Sequence, residues 1–354
     1  MVTMTPKGMK TVLVHEWVTG GGLAGESLPA SWAAEGRAMR RAIARDFASV
    51  PGIQVVMTLD AGLLEEPGPW TTVLVGPGEE RERLGQLAVP SDFIVVIAPE
   101  SRGILAERAE WLAKLGAQSL GSTSEAIALT GDKLRLSAFF SQHQVRTPRT
   151  QRVVSSQGLP EDFPYPAVLK PIDGAGSIDT FLVPNSSFML QEMLTQPEAL
   201  LQPFITGLLM SASFLVGSGR SMLVGVGQQN VMVREGRFSY EGGMIPANQS
   251  HIDESVTAAV ESVPGLAGFI GVDYIWDELR AQATILEVNP RPTTSYVGLA
   301  RILPPGRLAQ AWIDIVLGKP SPASVDLAQF VHSHHPLYFR ADGTIAHEKG
   351  GVKP

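Results

Sequence analysis

An amino-terminal α/β unit followed by an α+β region is the architecture predicted for this 354-residue chain. Three observations predict it. Up to about residue 121, short apolar runs of strand length alternate with amphipathic stretches of helix length, the pattern of a mostly parallel sheet with helical crossovers. Beyond residue 206, strand candidates follow one another across Gly-containing turns, the pattern of antiparallel pairs. The length calls for two or three domains. The expected divisions are residues 1–121, a middle lobe at 122–205, a carboxy-terminal lobe at 206–320 and an extension at 321–354.

Composition narrows the function. Apolar residues make up 44% of the chain, enough for sizeable cores, and the net charge of -7 disfavours a nucleic-acid partner. There is no cysteine, which removes disulfides, thiolate nucleophiles and sulfur-ligated metals and fits a cytoplasmic protein. The longest apolar runs, such as Phe93 to Ala98, fall far short of the roughly 20 residues of a membrane span. No signal-type apolar region follows the first lysines. A soluble metabolic enzyme is the starting class.

In the first region, Thr11 to Val14 reads as a strand running into His15-Glu16-Trp17-Val18-Thr19-Gly20-Gly21-Gly22. Adjacent glycines permit close backbone approach, so Glu16, Thr19, Gly20 and Gly21 are candidates for holding a small ligand, with a plain tight turn as the alternative. The spacing is not a dinucleotide fingerprint. Residues 31–48 predict a helix capped by Ser31, with Trp32, Met39, Ile43 and Phe47 at helical spacing and Arg37, Arg40, Arg41 and Arg45 on a solvated face. Gln54–Leu59, Thr71–Val75 and Phe93–Ala98 are further strands. Glu100 lies just past the last of them, at the end where open α/β sheets gather ligands. It could hold an amine or a ribose hydroxyl, or cap the helix that carries Leu105 and Leu112.

In the middle region, Ser122 or Ser124 can cap a short helix, and Thr130-Gly131-Asp132-Lys133 opens another. Tyr165 to Pro171 is a strand that presents Lys170, followed at once by Gly174, Gly176 and Ser177. A lysine beside loop amides can satisfy phosphate oxygens, although its order is not that of a P-loop. Lys133 adds a second cation. Gln202-Pro203-Phe204-Ile205 reads as a hinge whose backbone, at Phe204 and Ile205, could face an adenine edge, since Pro203 cannot donate.

In the last region, Met210–Val216 and Met222–Val226 read as paired strands, and Gln228-Gln229-Asn230 concentrates amides. Tyr240 and the following glycine pair are expected beside an acceptor cleft or in a core. Phe269–Ile275 carries Asp273, and Ala283–Asn289 ends in Glu287-Val288-Asn289. Strand alternation puts Glu287 and Asn289 on one face, and antiparallel pairing would bring Asp273 to them. Three such oxygen donors suit Mg²⁺, while Arg291 sets a positive fork nearby. A Glu–Arg pair in solvent is the alternative reading. Residues 318–354 are Pro/Gly-rich with one strand at Leu337–Phe339, and His332, His334 and His335 lack an acidic partner for a zinc site.

Asp132-Lys133, Val168-Leu169-Lys170-Pro171 with the Gly/Ser loop, Gly271-Val272-Asp273 and Leu286 to Arg291 together resemble the ATP-grasp superfamily of carboxylate–amine ligases. His15 to Gly22, Ile97 to Glu100 and Asn289 to Leu299 look most like its tyramine–glutamate ligase group. The resemblance implies an ATP-grasp fold beside a Rossmann-like pre-ATP-grasp domain. It assigns ATP phosphates to Lys133 and Lys170, the phosphate cover to Gly174, Gly176 and Ser177, and the nucleotide edge to Gln202, Phe204 and Ile205. Mg²⁺, with Mn²⁺ as a substitute, would sit on Asp273, Glu287 and Asn289. Catalysis would use Lys170 and Arg291, with Glu16, Thr19, Gly20, Gly21, Glu100, Tyr240 and Arg291 toward substrate.

The implied reaction joins L-glutamate to tyramine, tyrosine or a related aromatic amine through an acylphosphate, in one-carbon cofactor synthesis. Another amino-acid or peptide ligase and a non-catalytic nucleotide-binding regulator are the alternatives. Small-molecule carboxylate and amine are the implied partners, without nucleic acid or membrane, and a homodimer is compatible with the sequence without following from it. The acidic residue that many relatives place after the hinge to hold ribose is missing, since the chain reads Thr206 to Ser213 there.

Overall fold

Apolar strand segments and amphipathic helices sort into two sheets in the computed structural model, which describes residues 8–64, 67–174, 179–188, 197–248, 251–320 and 326–346. The first part contains β1 (Lys10–Glu16), α1 (Ala30–Ala48), β2 (Ile53–Asp60), β3 (Thr71–Val75), α2 (Glu80–Ala88), β4 (Phe93–Ile97) and α3 (Ile104–Lys114). Its sheet is parallel throughout, in the order β3-β2-β1-β4. Glu16 is level with Ile97 across the β1/β4 pair. The segments leaving both strands therefore start from one sheet edge, the ligand-gathering end of such sheets.

α4 (Ser124–Gly131) and α5 (Lys133–Gln142) lead to β5 (Gln151–Val154), β6 (Ala167–Lys170), β7 (Phe181–Val183) and β8 (Glu198–Pro203). β9 (Leu208–Gly217), β10 (Arg220–Arg234) and β11 (Arg237–Ile245) follow, then α6 (Glu254–Glu261), β12 (Gly268–Asp277), β13 (Gln282–Asn289), α7 (Ser295–Ile302) and α8 (Arg307–Val316). α9 (Leu327–His332), β14 (Leu337–Arg340) and β15 (Ile345–Ala346) complete the described chain. The strands from β5 onward form an 11-stranded sheet, ordered β13-β12-β9-β10-β11-β7-β6-β8-β5, with β14 on β11 and β15 on β14. The described residues 326–346 thus supply a helix and two strands where the sequence pattern gave one strand.

The main core ties α1 to the last helices. Phe47, Phe269, Tyr296 and Trp312 pack with their rings tilted against one another at centroid distances of 5.2 to 6.1 Å. Asp46 lies inside this cluster and accepts from the Tyr296 hydroxyl at 2.8 Å and from the amides of Gly306 at 2.7 Å and Ala309 at 2.9 Å. Two of those bonds satisfy orphan N–H groups at the start of α8. α4, α5 and α6 pack on β9, β12 and β13 to form a second core. No described helix is long and apolar enough to cross a membrane.

Three local expectations are corrected. Ser31 does not cap α1: the helix begins at Ala30 after Pro29, so Ser31 lies within the first turn. Arg40 is not on a solvated face. It is 2% exposed, and its Nη1 donates to the carbonyls of Thr19 at 3.1 Å and Thr58 at 3.2 Å, binding α1 to the glycine turn and β2. Thr123, rather than Ser122 or Ser124, caps α4 through Oγ1, which accepts from Ala126.

Candidate active site

The acidic centre forms across β12 and β13. Asp273 stands opposite Glu287 and Gly271 opposite Asn289, with a register shift immediately after Asp273. Val288 turns into the core at 2% exposure while Glu287 and Asn289 share the other face, as strand alternation requires. Asn289 Nδ2 donates to Asp273 Oδ2 at 3.1 Å, and Gln229 Nε2 from β10 donates to Oδ1 at 2.8 Å. Burial and the facing Glu287 carboxylate push the Asp273 carboxyl up to about 7. Burial would raise Glu287 too, but Lys133 and Lys170 outweigh it and hold Glu287 low.

Both lysines reach this pair. Asp132 caps α5 by accepting from the amides of Leu134 at 3.0 Å and Arg135 at 2.9 Å, which fixes Lys133 at the first helical position. Lys133 Nζ lies 3.2 Å from Glu287 Oε2 and donates to the carbonyl of Gly174. Lys170 ends β6, and burial followed by the like charge of Lys133 pulls it down to about 8. Two cations and two carboxylates thus meet from α5, β6 and the β12/β13 pair. Gly176 and Ser177 lie outside the described residues.

Two cavities meet at this centre. One, of about 400 Å³, is walled by Val168, Pro203, Phe204, Leu209, Ile275 and Leu286 and also bordered by Lys133, Lys170, Gly174, Gln202 and Ile205. The other, of about 600 Å³, extends toward α1 and reaches Glu16, Glu35, Tyr240 and Arg291. Asp273, Glu287 and Gln229 border both. An apolar slot bordered by cations suits a nucleotide, and the larger cleft, lined by both charged and apolar groups, suits its reaction partner. At the slot wall, Phe204 N–H donates to the Pro166 carbonyl, so the adenine-edge reading narrows to the Phe204 carbonyl and the Ile205 backbone. Gln202 Nε2 is held by Thr150 Oγ1 at 2.8 Å.

The substrate-side candidates divide. Arg291 lies in the cleft and holds Glu100: Nη2 donates to Oε2 at 3.0 Å, and Nε sits 2.9 Å from Oε1 as an ionic contact outside hydrogen-bond geometry. Glu100 is therefore the partner of a cation, neither a helix cap nor an unpaired acid. Tyr240 borders the cleft, its hydroxyl 3.0 Å from Thr294 Oγ1. Glu16 touches the cleft, but its oxygens close the glycine turn by accepting from Val18 N at 3.0 Å, Thr19 N at 2.8 Å and Thr19 Oγ1 at 2.6 Å. Thr19, Gly20 and Gly21 pack away from the cleft. At Gly21, with φ of 112°, a Cβ would lie 2.4 Å from Val75, so the residue is glycine for close packing on β3. His15 is fully buried between Thr58 Oγ1 at 2.8 Å and Glu80 Oε1 at 3.1 Å, which makes it structural. His332 Nε2 accepts from the Val226 amide.

Sequence reasoning missed Glu35 and left Gln229 without a role. Gln229 was signalled by the run of amides in Gln228-Gln229-Asn230. Glu35 gave no signal, because a glutamate on an arginine-rich helix looks like surface.

The acidic centre fits a hard divalent cation. Its donors are all oxygen, from two carboxylates and the Asn289 amide, and a cation between the carboxylates would relieve the repulsion that raises the Asp273 carboxyl. Among the described residues no group of three or more His, Cys, Asp and Glu gathers for a metal, so water and phosphate would complete the shell.

Residues 130–295 match the family model of an ATP-grasp domain, and residues 53–127 match that of a pre-ATP-grasp domain. Tyramine–L-glutamate ligases from Methanocaldococcus fervens and Methanocaldococcus jannaschii are 29% and 30% identical to the chain over 211 residues. That is 59% of this chain and 61% and 58% of theirs, so the chain spans about three fifths of their length. An ATP-grasp superfamily protein from Archaeoglobus fulgidus has the same fold, with a TM-score of 0.63 and 23% identity, covering 94% of this chain and 92% of that one. The ATP-grasp match contains both lysines and all three oxygen donors, and the chain carries an ATP-grasp domain preceded by a pre-ATP-grasp domain.

Proposed function

We propose that this chain is an ATP-dependent carbon–nitrogen ligase that joins a glutamate-like carboxylate to tyramine, tyrosine or a related aromatic amine. The observation that carries the reading is the meeting of the two cavities at Asp273 and Glu287, where a triphosphate tail and a carboxylate can face each other. ATP fits the smaller cavity, base in the apolar slot and phosphates toward Lys133 and Lys170. Mg²⁺, with Mn²⁺ as a substitute, would be held by Asp273, Glu287 and Asn289. Once bound it would neutralise phosphate charge and orient the γ-phosphate.

This chain's residues would act by position and charge. Lys170, a cation already short of solvent, gains most from phosphate oxygens, and Lys133 would exchange Glu287 for them. Arg291 would steady the carboxylate or the transferred phosphoryl group. The carboxylate oxygen bonds to the γ-phosphorus as the bond to ADP breaks, and the amine nitrogen then bonds to the acyl carbon, losing a proton and expelling phosphate. No side chain becomes a covalent nucleophile. In the division of labour we propose, residues 1–121 form the substrate side, 122–205 the nucleotide lobe, 206–320 the metal-bearing lobe and 321–354 a carboxy-terminal extension, of which Phe339 and Ala341 border the larger cavity.

Purified protein with ATP, Mg²⁺, L-glutamate and a panel of amines tests this. ADP release that depends on both substrates, with an amide of the summed mass less water, supports the reading. ADP release with glutamate replaced by another amino acid or peptide would favour another ligase of the same chemistry. Nucleotide binding with no substrate-dependent ADP release would leave only a binding protein.

A further inference from the structure

α1 presents Trp32, Glu35 and Met39 to the larger cavity at spacings that put them on one helical stripe. No hydrogen bond or ion pair engages Glu35 among the described residues. The opposite charge that acts on it is Arg291, whose guanidinium is already occupied by Glu100 at 2.9 and 3.0 Å. The neighbouring Glu16 adds repulsion and is itself satisfied by the glycine turn. Burial accordingly pushes the Glu35 carboxyl up, with Arg291 opposing and Glu16 adding to the rise. A half-buried carboxylate without a counter-ion is costly unless a mobile cation completes it.

The surroundings specify the cation. One carboxylate without further oxygen ligands is poor for a metal ion, and the acidic pair that suits one lies elsewhere in the cleft. Trp32, Met39 and Phe339 give the same cavity apolar walls, and the carboxy-terminal strand β14 contributes the last of them. An organic ammonium on a ring-sized apolar body satisfies both features, the charge at Glu35 and the carbon against aromatic and thioether surface. The cavity also contains Asp273, Glu287 and Arg291, so such an amine shares its space with the carboxyl being activated.

We propose that Glu35 receives the ammonium group of the amine substrate and takes one of its protons, which frees the nitrogen lone pair to attack the acyl carbon, while Trp32, Met39 and Phe339 pack against its carbon body. This deepens the ligase reading and rests on it. The sequence of the step puts the amine on the α1 side of the cleft and the nucleotide on the β6/β8 side, with the acyl group between them.

The test uses the full chain with ATP, Mg²⁺, L-glutamate and tyramine, and separately with hydroxylamine in place of tyramine. Hydroxylamine is small and mostly uncharged at neutral pH, so it traps an acylphosphate without an ammonium site. Glu35→Gln should raise KM for tyramine about 20-fold or more, the scale of a lost charge-assisted contact, while hydroxamate formation falls less than about threefold. Glu35→Asp, which restores the charge, should recover part of the loss. A tyramine KM in Glu35→Gln within about threefold of wild type overturns the proposal. So does a parallel collapse of hydroxamate formation, which would place Glu35 in carboxylate activation or folding. Wild-type protein that forms neither amide nor hydroxamate overturns the ligase reading and the proposal with it.

Discussion

Removing Glu100 should loosen the joint between the amino-terminal sheet and the acidic strand pair. Glu100 follows β4 and Arg291 follows β13, and their side chains are only 9% and 11% exposed. At contacts of 2.9 and 3.0 Å, with an effective dielectric of about 20, the attraction is about 5 kcal/mol. Glu100→Ala leaves the guanidinium buried and uncompensated, a change that typically costs about 3–5 kcal/mol. Glu100→Gln keeps an acceptor for Nη2 but loses the charge, and should cost about half as much. Urea denaturation of wild type, Glu100→Ala, Arg291→Ala and the double variant closes a mutant cycle, expected to give a coupling of about 2 kcal/mol or more. A coupling near zero, with Glu100→Ala losing less than about 1 kcal/mol, would refute the pairing as a structural joint.

Three further outcomes are expected. Lys170→Ala and Glu287→Gln should remain folded by circular dichroism yet lose about 10²-fold or more in substrate-dependent ADP release, and wild-type rates in either would remove the assigned roles. Asp46→Ala, which strips three hydrogen bonds from the α1/α7/α8 core, should cost about 3 kcal/mol in urea, and a loss under about 1 kcal/mol would show that core to be indifferent to it. Glu80 should make the protein acid-sensitive: burial acts to raise its carboxyl, but His15 and Arg108 outweigh this and hold it at about 2. With the folded value below the unfolded 4.5, its contribution of about 3 kcal/mol is present above pH 4.5 and lost as pH falls toward 2. Glu80→Gln should flatten stability across that window, and an unchanged slope would exclude the network as its source.

The site was legible where short-range rules fix side-chain direction. Glu287 and Asn289 alternate with a buried Val288, and two apolar strands joined by a short polar turn almost have to pair antiparallel, which brings Asp273 opposite Glu287. Lys133 was legible through Asp132, a capping residue that locates the first helical turn. Arg40 was not, because helical periodicity assigns a face but cannot reveal two loop carbonyls waiting beneath it. The sequence leaves the glycine run open between ligand contact and a tight turn, because the side chain of Val75 in a separate strand is what dictates Gly21. β14 was legible as the strand at Leu337–Phe339, whereas the two-residue β15 was obscured because it is a strand only through its pairing with β14, which itself pairs with β11 nearly a hundred residues earlier. Glu35 depends on what surrounds it, and three distant segments supply those surroundings.

The most direct measurement is anomalous scattering from crystals of the full chain grown with ADP and Mn²⁺. A manganese peak between the carboxylates of Asp273 and Glu287, with the ADP phosphates reaching Lys133 and Lys170, is the predicted result. Bound ADP whose phosphates and metal lie away from those four side chains would contradict the account.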